Sequence, residues 1–115
     1  MSDPLLPLRE RYRKLADEVR EIGFVAVGTL LSGMTTCGRR GCHCHADPPR
    51  LHGPYYRLTR KVAGKTVTRQ LSPEQAELYK EWLANDRRLR RIVAEMEQLS
   101  ADAIEIILQT DRFRT

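Results

Sequence analysis

Cys37, Cys42 and Cys44 lie within one short stretch, with His43, His45 and His52 close by. Zinc takes four ligands in a tetrahedron, and thiolates and imidazoles are its preferred donors. The spacing C-x4-C-x-C holds Gly38 and Gly41 inside its first gap, so the chain can turn and bring Cys42 back beside Cys37. Arg39 and Arg40 favour thiolate over thiol at the flanking cysteines. Three clustered cysteines do not make a disulfide scaffold, which spreads an even number along the chain. The expectation is a structural Zn2+ ion held by Cys37, Cys42, Cys44 and one histidine. His43 sits between two ligands and should point away. His45 adjoins Cys44, which strains a shared coordination sphere. His52 follows Pro48-Pro49, where a returning loop can bring it round, and it is the better fourth ligand, with His45 the alternative.

Nothing around the cluster looks catalytic. There is no H-x-E or H-E-x-x-H pattern, no phosphate-cradling glycine loop and no carboxylate pair beside the histidines. Three cysteines and one histidine close the coordination sphere, and closed sites are structural. A non-enzyme is expected.

The charge is unevenly distributed. The net charge is +5, yet residues 37–71 carry eight basic side chains and only one acidic, Asp47. Residues 1–36 are balanced and residues 72–115 are slightly acidic. A positive field centred on the cysteine segment points to nucleic acid, DNA or RNA, as a partner. The residues that would make contact are Arg39, Arg40, Arg50, Tyr55, Arg57, Arg60, Lys61, Lys65 and Arg69. Tyr55 is placed to stack on a base. The competing reading is a protein-interaction adaptor that works through a long amphipathic helix.

The elements that must position these groups are legible from periodicity. Asp3-Pro4 reads as a helix start, and Leu8, Tyr12, Leu15, Val19 and Ile22 form one apolar stripe ending at Gly23, a candidate C-cap. Phe24 to Leu31 reads as a short strand interrupted by Gly28. Tyr55–Val62 and Lys65–Leu71 read as a β-hairpin about Ala63-Gly64, pairing Tyr56 with Leu71, Thr59 with Thr68 and Lys61 with Thr66. Its core face would carry Tyr56, Leu58, Val62, Val67 and Leu71; Arg60, Lys65 and Arg69 fall on that face too and must lie at its edge.

Ser72-Pro73-Glu74-Gln75 is a capping box that opens a helix. Leu78, Trp82, Asn85, Leu89, Ile92, Met96, Leu99, Ala103 and Ile106 then recur at heptad spacing with no Gly or Pro between them. This predicts one helix of roughly 37 residues, about 55 Å long. The first helix is too short to cover this seam, so Leu99, Ile104, Ile106, Ile107 and Leu108 would be exposed. That predicts a homodimer through the C-terminal helix, with Asn85 setting its register. The alternative is a bend at Asn85-Asp86 that folds the second half back.

The chain is thus expected to be one α+β domain over residues 1–115: a helix over 1–23, a zinc-pinned antiparallel β region over 24–71, made of a strand plus a β-hairpin, and a long coiled-coil-like helix over 72–110. No signal peptide or membrane span is evident, which predicts a cytoplasmic protein.

The stretch Cys37-Gly38-Arg39-Arg40-Gly41-Cys42-His43-Cys44, then His52-Gly53-Pro54-Tyr55-Tyr56-Arg57-Leu58 and Gly64-Lys65-Thr66, resembles a family of small prokaryotic proteins of unknown function. Their pattern is CG-x3-C-x-C…HGPYY-x-L…GKT, and the resemblance covers roughly residues 25–107. It implies a metal-type cysteine cluster with His52 inside the HGPY element. It implies no activity.

Overall fold

A computed structural model describes residues 3–110. The element order is α1 (Leu6–Glu21), β1 (Thr29–Thr35), a 3₁₀ turn (His43–His45), β2 (His52–Val62), β3 (Lys65–Leu71) and α2 (Pro73–Gln109). The strands form one antiparallel sheet in the order β1-β2-β3. The α+β architecture with a long C-terminal helix is therefore as expected. Tertiary contacts divide the described residues into two compact units. One joins the chain up to Val25 with the chain from Ala84; the other is Ala26–Leu83.

In the first unit, Asp3 opens a turn ahead of the helix rather than the helix itself. Its carboxylate accepts the Leu5 N–H at 2.9 Å and its carbonyl accepts the Leu6 N–H at 3.1 Å. The helix starts at Leu6 with Leu5 as N-cap. It ends at Glu21, because Ile22 is already extended (ψ 130°). Gly23 is not left-handed, so the predicted glycine C-cap is absent. The stripe buries Leu15 fully, while Tyr12 is 43% exposed.

α1 also covers more of α2 than its length promised. Leu5, Leu8 and Tyr12 line an open cavity of about 130 Å³ together with Leu99 and Ala103. Arg11 donates to Glu95 through Nε at 3.1 Å and Nη2 at 2.8 Å. Leu99, Ile106 and Ile107 are half-buried; only Ile104 and Leu108 of the predicted bare patch are exposed, at 52% and 63%. Asn85, the expected register residue, is half-buried and bonded within the chain. Its side-chain amide donates to the Phe24 carbonyl at 2.8 Å and anchors the chain as it leaves α1.

In the second unit the first strand begins later than predicted. Residues 22–27 lie outside the strands, and β1 runs on through Ser32, Gly33 and Met34. The physical reason is tertiary: this segment spends its backbone groups on α2. Ala26 donates its N–H to the Trp82 carbonyl at 3.1 Å, and Val27 accepts the Tyr79 hydroxyl at 2.8 Å. Tyr79 and Ala76 are buried here, whereas Leu78, predicted in the seam, is 50% exposed.

The hairpin pairs as predicted: Tyr56 with Leu71, Thr59 with Thr68, Lys61 with Thr66. Ala63 (φ 51°) and Gly64 (φ 81°) are both left-handed, as a two-residue turn between right-twisted strands requires. Tyr56, Leu58, Val67 and Leu71 are half-buried. Val62 is 42% exposed, because it lies at the turn end, beyond the reach of the core. α2 opens on the predicted box: Ser72 N–H to Gln75 Oε1 at 2.8 Å and Gln75 N–H to Ser72 Oγ at 3.1 Å. It is continuous helix for 37 residues, through Asn85-Asp86.

Gly28 is the tightest point of this unit. Its φ is +135°, and a Cβ there would stand 2.5 Å from Tyr79 Oη and 2.6 Å from the Thr59 carbonyl oxygen. Gly28→Ala should cost at least about 2 kcal/mol. Gly38→Ala, where a Cβ meets nothing within 4 Å, should stay within about 0.5 kcal/mol of the parent. Urea denaturation of both variants checks this, and equal midpoints would contradict it.

Candidate metal centre

The cysteine segment is the connection between β1 and β2. β1 ends at Thr35, which pairs with His52 across a register shift that follows Gly33. Cys37 therefore lies just past one strand and His52 opens the next. Between them, Gly41 (φ 79°) takes the left-handed turn that brings Cys42 back. A 3₁₀ turn then sets Cys44 inward: His45 N–H donates to the Cys42 carbonyl at 3.0 Å and Ala46 N–H to the His43 carbonyl at 3.1 Å. Arg50 N–H returns to the same His43 carbonyl at 2.9 Å and closes the loop. Gly53 (φ +132°) allows β2 to start against β1. A Cβ there would meet the Gly33 carbonyl oxygen and Met34 Sδ, both at 2.9 Å.

These turns bring one donor atom each from Cys37, Cys42, Cys44 and His52 within 4.8 Å of one another. Cys37 Sγ and Cys44 Sγ are 3.6 Å apart; Cys42 Sγ and His52 Nε2 are 3.1 Å apart. Cys44 is buried and the other three are half-buried. His52, rather than His45, joins the cysteines. His45 Nε2 is 2.6 Å from the Cys37 carbonyl oxygen, where it serves as a donor that braces the loop. His43 lies outside the donor set, with its ring 4.9 Å from that of His52 and tilted by 51°. The exclusion of His43 from the donor set is as expected, whereas the bracing role of His45 was not legible in the sequence.

The electrostatics favour anionic sulfur at one position and resist it at another. Cys42 is pulled down to about 6 by the backbone N–H of Cys44, against the effect of burial, with further help from the His52 ring. Cys44 is pushed up, first by burial. A buried thiol of this kind becomes a thiolate readily only when a cation shares its site.

The sequence-predicted basic residues are distributed by the strand alternation. Tyr55, Arg57 and Lys61 share one face of the sheet; Arg60, Lys65 and Arg69 share the other. Arg39, Arg40 and Arg50 are exposed in the cysteine loop. They were predicted as one contact set, but they do not form a single face. Tyr55 is not an open stacking platform. Its phenol end lies against Gly33, 3.2 Å from where a Cβ would stand, and the Arg57 guanidinium sits over its ring at 4.9 Å. Among the described residues, none of the eight cations of residues 37–71 forms an ion pair.

Three thiols and an imidazole gathered by a turn between paired strands define a small metal-binding module. The chain belongs to the family described as a domain of unknown function, DUF6788, whose profile matches residues 5–80. That span takes in α1, the whole sheet, the cysteine loop and the start of α2. No curated protein and no solved structure matches the chain. No helix among the described residues is long and apolar enough to cross a membrane.

In the metal-free protein, Cys42 should be the reactive thiol. Its folded pKa lies below the ordinary cysteine value of 9.0, so its thiolate favours the folded state at high pH, and that contribution is lost as pH falls through about 6. Iodoacetamide labelling after chelation, with circular dichroism confirming that the fold is kept, followed by mass spectrometry across pH, should show Cys42 reacting with a midpoint near 6 and Cys44 lagging well behind. Equal rates at the two cysteines would contradict this assignment.

Proposed function

We propose that this chain is a non-catalytic, zinc-stabilised nucleic-acid-binding module that works as a homodimer in the cytoplasm. Zinc suits the donor set. A regular tetrahedron with Zn–S near 2.3 Å and Zn–N near 2.0 Å has S···S edges of about 3.8 Å and S···N edges of about 3.5 Å. The corresponding distances are 3.6 Å for Cys37–Cys44 and 3.1 Å for Cys42–His52. The remaining edges are at most 4.8 Å long, so an ion would draw them in by no more than about 1.3 Å. Four protein ligands leave no open position for substrate, and this supports a structural role. Thiolate ligands of this kind persist in a reducing compartment, which supports the cytoplasm.

The observation that carries the nucleic-acid reading is the set of unpaired cations on the metal-held sheet and its loop, offset by Asp47 alone. Unpaired cations held on a rigid frame neutralise phosphates and release counterions. The dimer reading rests on Ile104 and Leu108, one helical turn apart and both exposed. The same pair supports the adaptor reading, in which a different protein covers it.

Purified protein should carry one zinc per chain, and Cys42→Ser should lose it, as measured by elemental analysis; a mutant that keeps its zinc would sink the site. Fluorescence anisotropy should show binding to DNA or RNA that falls by about 100-fold between 50 and 200 mM salt if some four phosphates are contacted. Absence of binding at the lower salt favours the adaptor. Light scattering should give a dimer that Ile104→Glu with Leu108→Glu dissociates, and a parent monomer at high concentration would remove the dimer from the proposal.

A further inference from the structure

The three strands put a specific set of side chains on one exposed face. Thr29, Thr59 and Thr68 are register partners and form one row across the sheet. Their hydroxyls are spaced for mutual contact, with Thr59 Oγ1 3.3 Å from Thr68 Oγ1. The next row on the same face is Leu31, Arg57 and Gln70, again in direct register. Beyond it Gly33 faces Tyr55, and towards the turn Lys61 faces Thr66. Four threonines and a glycine are interspersed among the longer side chains of this face, and it carries no carboxylate.

We infer that this three-stranded face reads duplex DNA in the major groove. The inference rests on the nucleic-acid reading above and narrows it to one partner. Dimensions are the first reason. At about 4.8 Å spacing the axes of the two outer strands lie roughly 10 Å apart, a separation of the same order as a major groove about 12 Å wide. The groove of an RNA duplex is too deep and narrow to admit such a slab.

Chemistry is the second reason. Arg57 and Gln70 are direct cross-strand partners, so their Cβ atoms stand about 5 Å apart. A guanidinium matches the O6 and N7 acceptors of guanine, and a carboxamide matches N6 and N7 of adenine. Their neighbours in the face, Leu31 and the threonine methyls, suit thymine methyl groups. Lys61, at the turn end of the face, would meet a phosphate, and Arg39 and Arg40 are exposed in the loop that joins β1 to β2 at the other end.

The third reason separates duplex from single strand. Single-strand binders need open aromatic planes on which bases stack. Tyr55 is the one aromatic residue of this face, and its ring is engaged by Gly33 and Arg57. That contact spends the tyrosine on holding the guanidinium in place. A preorganised arginine loses little freedom on binding, which favours directional contact with a base edge.

The test uses the full zinc-loaded chain. Anisotropy compares a DNA duplex, each of its separated strands, and an RNA duplex of the same sequence. The duplex DNA should bind at least about tenfold more tightly than the others. Site selection from a random duplex library should then return a base preference that Arg57→Ala and Gln70→Ala each flatten. Arg57→Lys should lose the same preference while keeping the salt dependence, because it retains the charge but not the fork. Zinc content equal to the parent's confirms that the variants are folded. Single strands or RNA bound as tightly as duplex DNA would overturn the inference and leave the nucleic-acid reading standing. So would a base preference untouched by both substitutions. No binding to any of the probes would remove both.

Discussion

The sheet of this protein depends on how the long connection between β1 and β2 is closed. Thr35 and His52 pair at its base, and the chain between them has little apolar material to hold it together. Cys44 and Leu15 are the largest fully buried side chains among the described residues, and they lie in different units. The largest fully buried side chain of the β unit is thus a thiol, one of the four donors of the cluster. A core this thin needs a staple. A metal at Cys37, Cys42, Cys44 and His52 would supply on the order of 10 kcal/mol, which becomes folding free energy when the site does not exist in the unfolded chain. The glycines follow from the same constraint. Gly41 turns the loop, and Gly53 lets the strand that carries His52 lie close against Gly33 and Met34.

Strand register also decides how the charge is presented. The alternation of β2 and β3 separates Arg57 and Lys61 from Arg60, Lys65 and Arg69, so the positive field is divided between two faces and a loop. One face is in direct register across three strands. On the other side, Tyr79 of α2 lies next to Gly28, the Thr59 carbonyl and Arg60. The long helix serves each unit differently. Its first turns contribute Ala76 and Tyr79 to the β unit, and its later turns contribute Ile92 to the unit that contains α1.

Some of this was legible because it is local. A two-residue turn sets the sum of paired positions, so the hairpin register follows from Ala63-Gly64 and one apolar pattern. A capping box needs only four consecutive residues, and α2 begins where Ser72-Pro73-Glu74-Gln75 says it should. Thiolate and imidazole chemistry defined the donor types at the cluster before any fold was known. The errors came from competition that periodicity does not see. Phe24 to Val27 has strand-like composition, but α2 takes its hydrogen bonds, so the strand starts at Thr29. Gly23 follows an apolar stripe, but Asn85 anchors the exit from α1 without a left-handed residue.

The sequence by itself determined that three cysteines and a histidine could share one ion, because the residue types carry the chemistry and the glycines let the chain turn. Only the tertiary structure decided which histidine. His52 is placed by its pairing with Thr35, a contact across the whole loop, while His45 is held on the Cys37 carbonyl. The same holds for the rest of the site. Charge and composition were visible along the chain, but the face on which each cation lies, and the Arg57 contact that engages Tyr55, depend on strand register and on packing between residues distant in sequence. Local rules set the inventory; long-range pairing arranged it.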